Sequence, residues 1–97
     1  MPTYISLMSY TDKGIQAVRD SPRRLDAAKR MLEDMGGTFR QFFMTMGAYD
    51  LVLVYEAPDD AVSARFQLLL AAQGNVRTTT MKAFPEAAYR EIIASLG

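Results

Sequence analysis

Apolar side chains occupy both sides of one predicted strand, and this double-sided pattern constrains the fold more than any other feature. The segment Tyr49–Ala57 is rich in residues that favour β-strands. Successive side chains of a strand point to opposite faces of its sheet. One face therefore receives Val52 and Val54, while the other receives Tyr49, Leu51, Leu53 and Tyr55. A sheet covered on one face only has alternating apolar and polar residues, so this sheet needs cover on both faces.

Two further predicted strands repeat the pattern. In Thr3–Tyr10, Ile5 and Leu7 oppose Tyr4, Met8 and Tyr10. In Thr38–Met46, Phe39 and Phe43 oppose Phe42, Met44 and Met46. Helices of the same chain cover one face of such a sheet. We expect the uncovered face to carry the set Tyr4, Met8, Tyr10, Met44 and Tyr55, which would pack in an interface or line a pocket.

Helical periodicity and turn signals place the other elements. Thr11-Asp12 caps a helix that is interrupted at Asp20–Pro22 and then continues to Met35, before Gly36-Gly37. Gly47-Ala48 predicts a tight hairpin turn between the second and third strands. A helix then begins at Pro58-Asp59-Asp60, a fourth strand covers Asn75–Ala83, and a last helix follows Phe84-Pro85-Glu86. The order predicts a single α+β domain over residues 1–97, with a ferredoxin-like βαββαβ fold, an antiparallel four-stranded sheet and an added C-terminal helix.

The double-sided sheet predicts self-association. A face of this size left open would exceed the apolar patches that soluble monomers usually expose. We expect a second copy to pack sheet to sheet, forming a homodimer or larger assembly of the dimeric α+β-barrel type. The alternative is that the C-terminal helix folds across the open face of its own sheet.

The composition excludes several function classes. The chain has no His, Cys or Trp, so the usual neutral-pH base, thiolate sites and histidine metal sites are all absent. Eleven basic residues balance eleven acidic ones, without the footprint of a nucleic-acid binder. No apolar run approaches the roughly 20 residues of a membrane-spanning helix. We expect a cytoplasmic protein with no metal, cofactor, nucleic-acid or membrane partner.

The segment Gly47-Ala48-Tyr49-Asp50 is the sharpest local motif. A structural interpretation suffices for it, because Gly47 permits a positive φ and Asp50 can accept hydrogen bonds from turn amides. A functional interpretation places Tyr49 and Asp50 as a polar pair at the mouth of a cleft. We favour the structural interpretation, and treat Gly74 as a second structural turn.

The chain resembles the GYD-domain family over nearly its whole length. The resemblance rests on the Gly47–Asp50 motif and on Thr11-Asp12-Lys13-Gly14, Ser21-Pro22-Arg23-Arg24 and Gly74-Asn75-Val76-Arg77-Thr78. It implies a small, oligomeric, ferredoxin-like protein and brings no established activity. Met46–Asp50 and Gly74–Thr78 are also similar to the effector-binding domain of Lrp/AsnC-type regulators. That second resemblance implies a small-molecule site between subunits, without the DNA-binding half.

These patterns nominate six ligand-binding candidates. They are Tyr49, Asp50, Arg77, Thr78, Tyr10 and Met8. An anion site formed by Arg19, Arg23, Arg24 and Arg77 is a further possibility. We favour solvated arginines that pair with Asp20, Asp26 and Glu33 instead.

The leading functional hypothesis is a non-catalytic homo-oligomer that binds a small molecule at or near a subunit interface. The first alternative is a cofactor-free oxygenase or isomerase, whose aromatic or quinone-like substrate would be polarised by Asp50, Tyr49 or Arg77. The second alternative is a structural assembly protein.

Overall fold

The computed structural model describes residues 1–97 as an antiparallel four-stranded sheet with helices. The strands are β1 (Thr3–Tyr10), β2 (Thr38–Met44), β3 (Leu51–Glu56) and β4 (Val76–Ala83). The helices are α1 (Asp12–Gln16), α2 (Ser21–Asp34), α3 (Asp60–Ala72) and α4 (Glu86–Ala94). The strand order is β2-β3-β1-β4, and all neighbours are antiparallel. The predicted ferredoxin-like βαββαβ fold with a C-terminal helix is confirmed. None of these helices is both long and apolar enough to cross a membrane.

The first helical region is interrupted where the sequence predicts it. A 3₁₀ turn at Val18–Asp20 separates α1 from α2, and Pro22 lies in the first turn of α2. Proline is tolerated there because the first amides of a helix have no partner within it. Gly36 follows α2 with a φ of +86°, a conformation that favours glycine.

The connection between β2 and β3 is longer than predicted. β2 ends at Met44 and β3 begins at Leu51, so Gly47-Ala48 belongs to a six-residue loop instead of a two-residue turn. The Thr45 amide donates to the Asp50 carbonyl at 2.8 Å and closes this loop. The Asp50 amide donates to the Met8 carbonyl at 2.8 Å, which attaches the loop to β1. Asp50 is thus held at the end of the β1–β3 ladder.

The face that carries the large aromatic side chains is the face beneath the helices. Tyr4, Met8 and Tyr55 are buried in the core, and Tyr10 packs half-buried against it. The expected open-face set is therefore wrong, and its fifth member, Met44, is an exposed residue of the edge strand β2. The reason is that α3 supplies what a buried tyrosine needs. The Tyr55 hydroxyl hydrogen-bonds Ser63 at 2.7 Å, and the Tyr55 ring meets Phe66 edge-on at 5.2 Å.

The opposite face of the sheet is uncovered and has an apolar centre, as the double-sided pattern predicts, with Ser9, Gln41, Arg77 and Thr79 on the same face. Register places Ile5, Leu7, Val52, Val54, Phe43 and Met81 on it, and we call this surface the open face. Phe43 and Met81 are exposed, and the other four are half-buried by their neighbours. Phe39 lies on the helix side with Phe42, because a register irregularity between Phe39 and Gln41 reverses the alternation within β2.

Helix α4 does not cover the open face. None of its residues is buried, so the alternative in which it folds across its own sheet is not the arrangement observed. The molecule is elongated as a result, with a longest dimension of 52 Å and a radius of gyration of 14.6 Å. A compact chain of this length has a radius of gyration of about 12.5 Å.

Candidate functional site

A cleft lined mainly by apolar side chains lies between α2 and α3, on the helix side of the sheet. Its floor is formed by Met8, Leu51 and Leu53 from the central strands, and its walls include Leu25 and Leu70. The cavity volume is about 60 Å³, and nine of its thirteen lining residues are hydrophobic. A space of this size suits a short aliphatic group and is far below the few hundred Å³ of a typical cofactor site.

Polar groups are confined to the mouth of the cleft. They are Ser21 and Arg24 from α2, and Gln73 and Asn75 from the segment that joins α3 to β4. The Tyr10 hydroxyl hydrogen-bonds the Ser21 hydroxyl at 2.9 Å. An apolar floor beneath a polar rim suits a ligand with a short apolar group and a polar or anionic head.

The six sequence-predicted ligand residues do not come together. Met8 and Tyr10 line the cleft, whereas Tyr49, Asp50, Arg77 and Thr78 do not. Arg77 pairs with Ser9 across β1 and β4 and projects on the open-face side of the sheet. Thr78 has the opposite parity and is half-buried beside Met8. Strand parity thus separates two residues that are adjacent in the sequence.

Asp50 serves the backbone at the end of β1. Its carboxylate accepts a hydrogen bond from the Tyr10 amide at 2.9 Å. The neighbouring Tyr49 is half-buried, and its carbonyl accepts from the Thr45 hydroxyl at 2.6 Å. Gly47 has a φ of +149°, within the range that favours glycine. The Asp50 carboxylate thus bonds a strand amide of β1, and not the turn amides that the structural interpretation expected.

The four arginines considered for an anion site are dispersed. Arg23 pairs with Asp20 at 3.3 Å on the exposed surface of α2. Arg24 donates to the carbonyls of Ala17 at 2.9 Å and Gly14 at 3.3 Å, which ties α2 to the end of α1. Arg77 projects from the opposite side of the sheet, so the four arginines do not converge on one site. A different trio does gather, because Arg23, Arg24 and Arg30 line a shallow depression that shares Arg24 and Gln73 with the mouth of the cleft.

Two of the sequence motifs meet in space beside the cleft. The Thr11 amide donates to the Asn75 carbonyl at 3.1 Å, and the Thr11 hydroxyl donates to the Gly74 carbonyl at 2.5 Å. The Lys13 ammonium donates to the Gln73 carbonyl at 2.9 Å. Gly14 is buried against Asn75, and a Cβ atom there would lie 1.9 Å from the Asn75 carbonyl oxygen. The end of α3 is therefore satisfied by groups from the start of α1.

A buried polar network joins α3 to the centre of the sheet, and no motif in the sequence predicts it. Gln67 donates to the Tyr55 hydroxyl at 2.9 Å and accepts from the Ser6 hydroxyl at 3.2 Å. The Ser6 hydroxyl also bonds Thr80 at 2.7 Å, and Ser63 completes the set through Tyr55. No buried side-chain donor or acceptor lacks a partner. The network is closed, so it offers no free group to a ligand.

A tyrosine–carboxylate pair lies at the other end of β1. The Tyr4 hydroxyl donates to Asp60 at 2.5 Å, and Lys82 approaches the same carboxylate at 3.1 Å. Burial and the Asp60 carboxylate raise the pKa of Tyr4 well above its usual range. The hydrogen bonds from Tyr4 and Lys82 lower the pKa of Asp60, and burial raises the pKa of Tyr55. The Tyr4 hydroxyl therefore stays protonated to higher pH, and the Asp60 carboxylate stays ionised to lower pH, than either group alone in water. This is the arrangement of a structural pair.

The barrel pocket of the enzyme hypothesis loses its expected lining. Tyr4, Met8 and Tyr55 fill the core under the helices, and none of them faces the side on which a second sheet would pack. The centre of that side is aliphatic, with Phe43 and Met81 beside it, and Ser9, Gln41, Arg77 and Thr79 add polar groups around it. The structure also contains no cluster of three or more acidic side chains placed to hold a metal ion.

Comparison with known proteins identifies the family. The model of the family described as GYD domain matches residues 4–93. The chain belongs to the GYD family. A relative from Thermus thermophilus is 39% identical over 97 residues, which is 99% of each chain. That relative is named a glutamine synthetase and cystathionine beta-lyase binding protein.

Two solved structures share the fold of this GYD domain. The structure of FFRP-DM1 superposes with a TM-score of 0.62 at 19% identity, over 87% of this chain and 100% of that one. The structure of TTHA0845 from Thermus thermophilus gives a TM-score of 0.56 at 20% identity, over 88% and 95% of the two chains. At these identities the similarity establishes the fold.

Proposed function

We propose that this GYD domain is a cytoplasmic binding protein that self-associates through its open face and binds an enzyme of amino-acid metabolism. The observation that carries the proposal is the uncovered apolar surface formed by Ile5, Leu7, Val52, Val54, Phe43 and Met81. Association through such a surface is driven by removing apolar area from water. An apolar surface of this kind supports a binding role more directly than a catalytic one.

Self-association is tested at the centre of the open face. Leu7 lies on the central strand β1 opposite Val52, so Leu7→Glu would place a charge in the middle of a sheet-to-sheet interface. We expect light scattering at micromolar concentration to give a dimer or larger assembly for the parent chain and a monomer for the variant. Ala64→Glu, on the exposed side of α3, is the matched control and should leave the assembly intact. A monomeric parent chain would overturn this part of the proposal.

The enzyme partner is proposed from the Thermus thermophilus relative. An identity of 39% over nearly the full length supports a shared binding role, and the named partners of that relative supply the candidates. Glutamine synthetase and cystathionine β-lyase from the source organism would be passed over the immobilised chain. We expect saturable binding of at least one of them, and none of an unrelated enzyme of similar size. Absence of binding by both at micromolar concentration would refute the partner assignment.

A small-molecule ligand is the second candidate, favoured by the cleft between α2 and α3. Met8 and Tyr10 lie in this cleft, and its mouth carries Arg24 and Asn75. Its size and polarity support a short aliphatic carboxylate as the ligand class. Such a ligand would lie on the helix side of the sheet, behind the self-association surface.

A thermal-shift series with short aliphatic carboxylates tests the cleft. We expect a rise in melting temperature that depends on ligand concentration. Leu25→Phe would fill the cleft from α2 and abolish the shift, whereas Leu69→Phe, at an exposed position of α3, would preserve it. An equal shift in both variants would place the ligand elsewhere.

A further inference from the structure

Two apolar clusters remain exposed at opposite ends of the sheet. The arm cluster consists of Phe84, Tyr89, Ile92, Ile93 and Leu96, in and around α4. The hairpin cluster consists of Phe43, whose side chain lies on the open face, Met44, which has the opposite parity at the end of β2, and Met46, in the loop that follows. Exposed fractions run from 44% for Ile92 to 96% for Met46. Both clusters are too large to be accounted for by the scattered apolar residues of an ordinary surface.

The two clusters are separated by the length of β1. Thr3, at the start of β1, pairs with Ala83, from which the chain continues into α4. Met8, near the end of β1, pairs with Leu51, which in turn pairs with Met44. The clusters therefore cannot cover each other within one chain. They are available to a second copy.

Helix α4 needs a surface to pack against. It has nine residues, and isolated helices shorter than about 12–15 residues are marginal in water. Its only side-chain ion pair, between Glu86 and Arg90, joins two exposed groups. An i,i+4 pair of this kind contributes only a few tenths of a kcal/mol. The helix is therefore expected to owe its stability to contacts outside its own chain.

The open face alone is small for a stable dimer. Four strands at about 4.8 Å spacing and six paired residues at about 3.3 Å give a flat footprint of about 400 Å². A standard interface buries about 800 Å² of accessible surface on each partner, and a flat patch of this footprint carries less than that even when its surface relief is counted. Apolar area from the arm cluster and the hairpin cluster would supply the remainder.

We infer that α4 of each copy packs across the hairpin cluster of the second copy. The inference rests on the proposed self-association through the open face, and adds to it a specific symmetry. A two-fold axis in the plane between the sheets, perpendicular to the strands, brings opposite ends of the two sheets together. The arm cluster of each copy then meets the hairpin cluster of the other copy, so the same contact forms twice, as a closed two-fold dimer requires.

The dimensions agree with this arrangement. Under that axis β4 of one copy overlies β4 of the other, so α4 starts three strand spacings from β2 of the second copy. Three spacings are about 14 Å. A nine-residue helix is also about 14 Å long, so an α4 that runs across the strands of the second copy would reach the hairpin cluster. The alternative two-fold axis, parallel to the strands, would bring each arm cluster to the end of the second copy's sheet that lacks the hairpin cluster.

The absence of cysteine makes the contact directly testable. Leu96→Cys and Met46→Cys replace exposed side chains, so both variants are expected to fold. The two single variants carry different tags, are mixed as full chains, and are oxidised or treated with a short bis-maleimide. We expect a mixed-tag covalent dimer. Glu91→Cys lies on the side of α4 away from the apolar stripe, and mixed with Met46→Cys it should give at least tenfold less product.

A second measurement uses the affinity of the dimer. Replacing both Ile92 and Ile93 with serine removes the centre of the arm cluster, and we expect the dimer dissociation constant to rise about 100-fold or more. Replacing Arg90 and Glu91 with serine on the same helix is the control and should change it less than threefold.

The outcomes separate this inference from the proposed function. A stable dimer that gives no mixed product, or that instead joins Leu96→Cys to itself, would overturn the arm contact while leaving self-association through the open face in place. A chain that remains monomeric at all concentrations would overturn both. A mixed-tag covalent dimer, together with weaker dimerisation of the variant with serine at Ile92 and Ile93, supports the contact between α4 and the hairpin cluster of the second copy.

Discussion

The contact between Gly14 and Asn75 gives the sharpest test of how this fold is held together. In Gly14→Ala the new Cβ would lie 1.9 Å from the Asn75 carbonyl oxygen, more than 1 Å inside the 3.0 Å that real Cβ atoms essentially never breach. The obstacle is backbone, so no side-chain rotation relieves it. Helix α1 must move away from Asn75, and the hydrogen bonds from Thr11 to Asn75 and Gly74 are expected to break.

The magnitude follows from three terms. Overpacking of a buried site costs about 1–3 kcal/mol. Two lost hydrogen bonds cost about 1 kcal/mol each, and the better helix propensity of alanine returns about 1 kcal/mol. We therefore expect Gly14→Ala to lower the free energy of unfolding by about 3 kcal/mol, which corresponds to a melting temperature lower by about 12–24 °C for a domain of this size.

Circular dichroism during heating, at one fixed protein concentration, measures the effect. The concentration is held constant because self-association would itself raise the melting temperature. Gln16→Ala, at an exposed position of the same short helix, is the control and should change the free energy of unfolding by less than about 0.5 kcal/mol. A Gly14→Ala protein that melts within about 4 °C of the parent would refute the reasoning, because the close approach would then be relieved at little cost.

Three further predictions concern the core and the end of β1. Asp50→Ala removes the acceptor of the Tyr10 amide, and urea unfolding should show a free energy of unfolding lower by about 1.5–3 kcal/mol. Asp50→Asn keeps an acceptor and should lose less than half as much stability. Equal losses in the two variants would assign the effect to the charge of Asp50 instead of to the hydrogen bond. Raised pKa values in the folded state mean that protonated Tyr4 and Tyr55 stabilise the fold fully below about pH 10 and that this contribution is lost as the pH rises further. Circular dichroism should therefore show alkaline unfolding above about pH 10, and the pH at the midpoint of unfolding should be higher for Tyr4→Phe. An unchanged midpoint pH in that variant would show that ionisation of Tyr4 does not drive the unfolding. Phe66→Ala empties a fully buried site and should lower the free energy of unfolding by about 3–5 kcal/mol, and Phe66→Leu should lower it by much less. A loss under about 1 kcal/mol for Phe66→Ala would mean that the core collapses around the gap.

The sequence carries the order of the elements because each signal is local. The interruption at Asp20–Pro22 and the end of α2 at Gly36 both follow from the backbone chemistry of proline and glycine. The double-sided strands follow from alternation alone. These features need no knowledge of the rest of the chain.

The orientation of the sheet depends on contacts that no local pattern contains. With apolar residues on both sides of β3, parity cannot tell whether Tyr55 or Val54 faces the helices. Ser63 and Gln67 decide it, because they offer the hydrogen bonds that a buried tyrosine hydroxyl needs. Polar residues on the inner side of α3 were the available signal, since a helix over an apolar sheet rarely buries them without partners there.

The candidate site was predicted in part for a similar reason. Met8 and Tyr10 were identified because they lie on β1, while the cleft itself depends on how far α2 stands from α3. Thr11 and Asn75 belong to separate motifs, and their contact joins positions 64 residues apart in the chain. The loop at Gly47-Ala48 was predicted too short because the attachment of Asp50 to β1 is also a long-range contact.

The sheet is one layer thick, and its two sides carry different surfaces. The cleft opens among the helices, while the open face lies on the far side of the same strands. Two copies joined through their open faces would therefore present their clefts outward, in opposite directions. Such a dimer is bivalent for any partner that binds the helix side, and an enzyme with repeated subunits that bound there would be held with an avidity about 10²–10⁴-fold above that of a single copy. The Leu7→Glu monomer would lose that gain while keeping every residue of the cleft.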